Sequence, residues 1–203
     1  MRRNLAFRFA VLAVSFAIPL AVHAQAPAAD GVPVIKIDHA ESSIKFSVKA
    51  SVAIEGVFDE WDATITYADA HVESSVLDVK IQAASVNTGS GMKDGKLKGK
   101  DFFDVKDNPL ITFHSTKVAQ TGPNTFDIQG TFTIRGVSKP ETLQLTLSGK
   151  GTGEGEVTGI MAFDRKDYGM NSGIPFIKIA DRVEVSVHLK GTRVSGPPLI
   201  FKQ

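Results

Sequence analysis

Beyond Val34 the chain alternates apolar and polar residues with a period of two, and no other feature of the sequence restricts its fold as strongly. Successive side chains of a β-strand point to opposite faces, so such alternation marks strands with one face buried and one face wet. Ile44, Phe46 and Val48 alternate with Lys45, Ser47 and Lys49. Trp61, Ala63, Ile65 and Tyr67 alternate with Asp62, Thr64 and Thr66, and Leu77, Val79 and Ile81 with Asp78 and Lys80. The same beat returns in Phe126–Ile134 around Gly130, in Leu143–Leu147 and in Val183–Leu189. With Val34–Ile37, Ile111–Ser115 and Val157–Phe163 added, roughly eight or nine strands emerge. Turn signals such as Gly122-Pro123-Asn124, Arg135-Gly136 and the glycine-rich Gly149–Gly155 separate them. Only Asn87–Pro109 is long enough for a crossover, so the strands must connect as meanders in a single all-β domain, a sandwich or a barrel.

The N-terminus has a different pattern. Arg2, Arg3 and Arg8 precede an almost wholly apolar run from Phe9 to Val22, and Val22-His23-Ala24 places small residues at a cleavage position. This is the layout of an export signal over residues 1–24, and the apolar run is shorter than the roughly 18–20 residues that span a bilayer. Cleavage after Ala24 would leave 179 residues with 20 basic and 22 acidic side chains. Export to the periplasm is therefore expected, with residues 25–33 as a small-residue tether, a domain over 34–191 and a tail over 192–203. So balanced a charge argues against a nucleic-acid partner, which requires a basic face. The absence of cysteine removes disulfides, thiolate metal sites and thiol nucleophiles.

A search for chemistry finds little. His39, His71, His114 and His188 stand far apart in sequence and show no ligand spacing. No Gly-x-Ser-x-Gly elbow is present, and Gly151–Gly155 lacks the lysine and hydroxyl residue of a phosphate loop. Asp164, Asp167 and Asp181 flank turns, where aspartate is common. His114 and Lys117 are the best inward-facing acid or base candidates, because Lys117 shares the parity of Ile111 and Phe113. Neither has a partner that would make a catalytic set, so no enzyme, cofactor or metal is expected.

An ordered series of motifs resembles the YceI family. Its central block is Ala84-Ser85-Val86-Asn87-Thr88-Gly89, Asp94, Leu97, Asp101-Phe102-Phe103-Asp104, Pro109 and Thr112-Phe113-His114-Ser115. Phe132-Thr133-Ile134-Arg135-Gly136-Val137-Ser138-Lys139-Pro140 reads as the hairpin motif of that family. Asp38, Glu41–Lys49 and Gly56-Val57-Phe58 match at the start, and Phe163-Asp164-Arg165, Tyr168-Gly169 and Ala180–Glu184 at the end. Lys49-Ala50, Lys166, Ala180 and Arg182 depart from its usual residues, and no head-group contact is carried over. The resemblance implies an extended eight-stranded antiparallel lipocalin-like β-barrel. It also implies a non-catalytic periplasmic protein that holds a long isoprenoid-type lipid, polyprenyl or quinone-like, in a buried tunnel.

On that basis the alternating apolar residues, with Phe102 and Phe103 from the long connection, are the expected tunnel lining: Phe46, Val48, Trp61, Ile65, Leu77, Val79, Ile81, Phe102, Phe103, Phe113, Phe132, Leu145, Met161, Val185 and Val187. The lysine-rich stretch within Asn87–Pro109 is expected to make a short helix. Phe102 and Phe103 at its end either plug one end of the barrel or act as a lid over a mouth. The expected partner is the lipid and a membrane that donates or accepts it. A homodimer is a further expected partner; the alternative functions are a surface role as soluble stress-response module or redox partner of a b-type cytochrome and, less favoured, an enzyme acting on an apolar substrate.

Overall fold

A computed structural model describes residues 31–51, 53–173 and 178–202; the expected export signal and residues 25–30 of the tether lie outside them. Ten strands form one antiparallel sheet: β1 (Val34–Ala50), β2 (Ile54–Phe58), β3 (Trp61–Tyr67), β4 (Ser75–Gln82), β5 (Val86–Asn87), β6 (Leu110–Gln120), β7 (Thr125–Ile134), β8 (Val137–Ser148), β9 (Glu154–Asp164) and β10 (Ile179–Ser195). One helix, α1 (Gly91–Lys98), lies in the long β5–β6 connection. Its place is the one expected from the lysine-rich stretch. Asp94 pins it by accepting from the Thr88 amide at 2.8 Å and the Thr88 hydroxyl at 2.6 Å.

The sheet curls into a barrel with the ordering β3-β4-β6-β7-β8-β9-β10-β1-β2-β5. Ten strands rather than eight appear because two long strands are broken by kinks. β2 and β3 are separated only by Asp59-Glu60, and β4 and β5 only by the 3-10 turn Ala83–Ser85. The two kinks face each other, with the Asp59 amide donating to the Ser85 carbonyl and the Gln82 amide to the Glu60 carbonyl. Counted through the kinks, eight staves close the ring where β2 pairs with both β1 and β5. Beyond the kink, β3 pairs only with β4 and lies against the first half of β1 without a ladder. Side chains bridge this seam: the His39 ring sits 4.6 Å from Trp61, and its Nε2 lies 3.7 Å from Asp62.

Two bulges shift the side-chain parity. In β1 the register slips between Asp38 and Ser43, where Asp38 accepts from the Ala40 and Glu41 amides. Ile35 and Ile37 therefore point inward on one side of the bulge, and Ile44, Phe46 and Val48 on the other. In β6 the register slips between Ser115 and Lys117. The buried Ser115 hydroxyl fills the gap by accepting from the Leu77 amide at 2.8 Å. Val118 consequently turns inward and Lys117 outward, which corrects the inward placement of Lys117 read from simple alternation.

The family motifs sit at the turns. Arg135 (φ 53°) and Gly136 (φ 72°) form a two-residue hairpin joining β7 to β8, and positive φ at both central residues fits the twist of the flanking strands. Arg165 is buried and donates to the carbonyls of Ala180, Met170 and Ser172 and to Asp181. It thereby ties the segment after β9 to the start of β10. Tyr168 is wholly buried and donates to Glu141 at 2.8 Å.

Candidate functional site

The barrel's inner side chains taper along its axis. Phe46, Phe58, Phe103, Phe132, Phe163 and Tyr168 crowd one end, in ring pairs with centroids 5.1–6.3 Å apart. Aromatic rings fill volume and lock by edge-to-face packing, so this end is nearly solid. Towards the other end the inward positions of β9 and β10 become Val157 and Leu189 and then Gly155 and Gly191, which pair across the ladder. Neither glycine adds a side chain to the wall there; Ile35 packs over Gly191, 2.9 Å from where its Cβ would sit, and Leu147 lies 3.4 Å from where that of Gly155 would.

Three cavities follow one another down the axis. The wide end holds about 220 Å³, lined by Ile35, Ile37, Ile65, Leu77, Val118, Ile128, Leu147 and their neighbours. A middle cavity of about 50 Å³ shares Leu77, Leu145 and Leu189 with it. A third of about 60 Å³, against Phe102 and Phe103, shares Ile44, Ile81, Phe132 and Val185 with the middle one. Each void shares lining side chains with the next. Their walls are almost wholly apolar.

Of the expected lining residues, Ile65, Leu77 and Leu145 border the wide cavity. Val79, Phe113, Met161 and Val187 border the middle one, as do Ile81, Phe132 and Val185, which also reach the third. Phe46, Val48, Phe102 and Phe103 border only the third. Trp61 borders none of the three; its ring is drawn to the seam by His39. Tyr67, Ile35, Ile37, Val118 and the Pro198-Leu199-Phe201 stretch of the tail line the wide cavity and were not among the expected residues.

The mouth lies at the wide end, where Lys150, Gly151, Glu154 and Pro198 are exposed around the rim. Beyond β10 the chain turns at Gly196 (φ 79°), where a Cβ would come within 2.1 Å of the Val32 carbonyl oxygen, and crosses this rim. The resulting strap is anchored on the far side by a backbone pair of Ile200 with Val72 and Ala70. Gln120 accepts from the Lys202 amide at 2.8 Å, and Lys202 meets Glu73 at 2.7 Å. Phe201 lies 6.2 Å from Phe126, and the Lys150 ammonium stands 4.2 Å above its ring. Phe102 and Phe103, by contrast, are packed away at the opposite end, 4 % and 7 % exposed, in the manner of a plug.

The polar groups of the wide cavity are few. Ser75 donates to the Val72 carbonyl at 2.7 Å, Lys150 to Pro123 at 3.1 Å and Arg193 to Gly196 at 2.6 Å. Burial pushes the Tyr67 phenol up to about 12. The residues considered for acid–base work face outward. His114 pairs with Asp78 at 2.7 Å on the outer surface, and Lys117 is exposed. Asp164 accepts from the Lys166 amide, Asp167 pairs with Lys139, and Asp181 is held below the usual carboxylate range by Lys166 and Arg165. These contacts hold turns together and converge on no common point.

Comparison with known proteins places this geometry. The model of the YceI-like domain matches residues 35–191. The UPF0312 protein of Pseudomonas savastanoi is 37% identical over 127 residues, which cover 63% of this chain and 66% of that protein. Among solved structures, Burkholderia cenocepacia BcnA superposes with a TM-score of 0.70 at 27% identity, covering 77% of this chain and all of that one. A polyisoprenoid binding domain from Saccharophagus degradans, implicated in plant cell wall breakdown, gives a TM-score of 0.63 at 18% identity over 79% of this chain and 99% of its own.

Proposed function

The chain belongs to the YceI-like family, and from that premise we propose that it is a non-catalytic carrier sheltering one long isoprenoid-type lipid inside its barrel. The observation that carries this reading is the file of apolar cavities running from the strapped mouth to the phenylalanine plug. Burying each methylene is worth about 0.8 kcal/mol, so a chain needs few polar contacts to bind tightly in such a space. The side chains bordering two voids at once are Leu77, Leu145 and Leu189, then Ile44, Ile81, Phe132 and Val185, and rotamer changes in them would let a chain thread through. The Saccharophagus domain, named for polyisoprenoid binding, has the same fold and supports the choice of ligand class.

The outward placement of His114 and Lys117 supports a role without chemistry. Export, with Gln25 as the mature N-terminus, completes the reading: a water-filled compartment beside a membrane is where an insoluble chain needs a carrier. N-terminal sequencing of the protein recovered from its host tests that placement. The carrier reading is tested by titrating delipidated protein with a fluorescent polyprenyl analogue. Saturation at one ligand per chain is expected; absence of saturable binding would overturn it.

A further inference from the structure

The outer half of the β3–β4 hairpin, residues 65–77, has a ladder within itself but none to either neighbour. The β4–β6 ladder begins only at Asp78, and the β1–β2 ladder only at Lys45, which leaves residues 34–38 paired with β10 alone. On the β6 flank two side chains take the place of a ladder. Ser115 accepts from the Leu77 amide at 2.8 Å, and Glu73 accepts from the Gln120 amide at 2.9 Å. On the β1 flank no backbone hydrogen bond crosses the seam among the described residues. Ile35 and Ile37 line the wide cavity from one lip of that seam and Ile65 and Tyr67 from the other, and all but Ile37 are only half-buried. The strap ties the hairpin's tip across the mouth. Ile200 accepts from the Val72 amide and donates to the Ala70 carbonyl, and Lys202 pairs with Glu73.

We propose that residues 65–77 form a door in the barrel wall, hinged along β6, and that the lipid enters sideways between this door and Ile35 and Ile37 once the strap releases the tip. This rests on the carrier reading above. An apolar chain forced between laddered strands would strip backbone N–H and C=O groups of their partners and offer none in return. At this seam there is no ladder to lose. The chain replaces apolar contacts between the lips with contacts to its own methylenes. Entry at the mouth, by contrast, has to draw Leu199 and Phe201 out of the cavity they line.

The chain has no cysteine, so an introduced pair can be stapled cleanly. Lys36 and Thr66 are exposed on opposite lips of the seam and do not line the cavity. Delipidated protein carrying Lys36→Cys and Thr66→Cys is either stapled with a bismaleimide or capped with two N-ethylmaleimides, and exchange of a fluorescent polyprenyl analogue is followed in both forms. The staple should slow exchange roughly tenfold or more, the effect of having to unpair one or two buried hydrogen bonds elsewhere in the wall. Equilibrium affinity should match that of the capped form, because entry and exit use the same door. Stapled protein that exchanges as fast as capped protein would overturn the door and leave the carrier reading standing, with entry end-on under the strap. Failure of both capped and wild-type protein to bind the analogue would overturn both. Hydrogen exchange on the unmodified chain gives a second measurement. Ladder amides within residues 65–77 should exchange faster than those within residues 78–82, through local opening, and lipid binding should slow them. Equal protection of the two halves of the hairpin would also contradict the door.

Discussion

The two ends of this barrel are built from the same alternating strands and come out opposite. At the narrow end the inward positions carry Phe46, Phe103, Phe132 and Phe163, and little more than 60 Å³ stays empty. At the wide end the same faces carry Leu147, Val157, Gly155 and Gly191 around about 220 Å³. The period of two decides which residues point inward; their volumes decide whether the interior becomes a core or a container. The closures differ in kind as well. Phe102 and Phe103 pack into the narrow end as part of the core, whereas the strap crosses the wide end on a few polar bonds and one ring.

That division implies that stability resides at the narrow end and ligand traffic at the wide end. The largest effect is expected for Phe103→Ala, which removes a ring 5.9 Å from Phe58 and 6.3 Å from Phe46. Urea unfolding should show a loss of about 3–5 kcal/mol, with lipid exchange unchanged under conditions where the variant stays folded. Exchange that quickened more than in any wide-end variant would make the plug a gate and break the comparison. Next comes Gly155→Leu, whose Cβ would sit 3.4 Å from Leu147 and extend into the wide cavity. Displacing about two methylenes of the ligand is worth about 1.6 kcal/mol, so affinity should fall roughly tenfold while the fold persists. A loss of stability with affinity intact would place the ligand elsewhere.

Phe201→Ala should act on rates. It removes the strap's contact with Phe126 and the ring under Lys150, a cation–π contact of about 0.5–2 kcal/mol, and exchange of a fluorescent isoprenoid should quicken several-fold. The smallest effect is one of pH. Lys202, and then the Gln120 amide, hold the Glu73 carboxyl below the usual carboxylate range. A depressed carboxylate contributes fully above its unfolded value, about 4.3, and the contribution is lost as pH falls through its lower folded value. Exchange should therefore stay flat from neutral pH to about 5 and rise below 4. In Glu73→Gln it should be faster at neutral pH and lack the acid limb; an acid limb unchanged in that variant would remove Glu73 from the latch.

The barrel itself was legible because its evidence is local. Parity alone oriented Ile44, Phe46, Leu77, Val79, Ile81 and Val183 towards the interior, where each is buried. Parity failed where the chain inserts residues. The bulge at Ser115–Lys117 sent Lys117 outward and Val118 inward, and the one in β1 aligned Ile35 and Ile37 with Ile44 although their numbers differ in parity. The wide cavity was illegible for another reason, since the apolar residues were read and the gaps between them were not. Gly155 and Gly191 continue the inward series of Val157 and Leu189, and small residues on that face were the available signal that the wall thins there. The strap had no local signal, because Ile200 and Phe201 find Val72 and Phe126 only through the fold.

The central claim is that the wide end of this barrel holds an apolar chain. It is tested most directly by native mass spectrometry of wild type and Gly155→Leu purified in parallel from the protein's own host. The account expects one organic-extractable lipid per wild-type chain, with a mass made of repeating isoprenoid units, and a strongly reduced adduct in Gly155→Leu, whose thermal stability should match that of delipidated wild type. Wild-type protein without any lipid adduct, or an adduct equally retained when the wide end is filled, would contradict it.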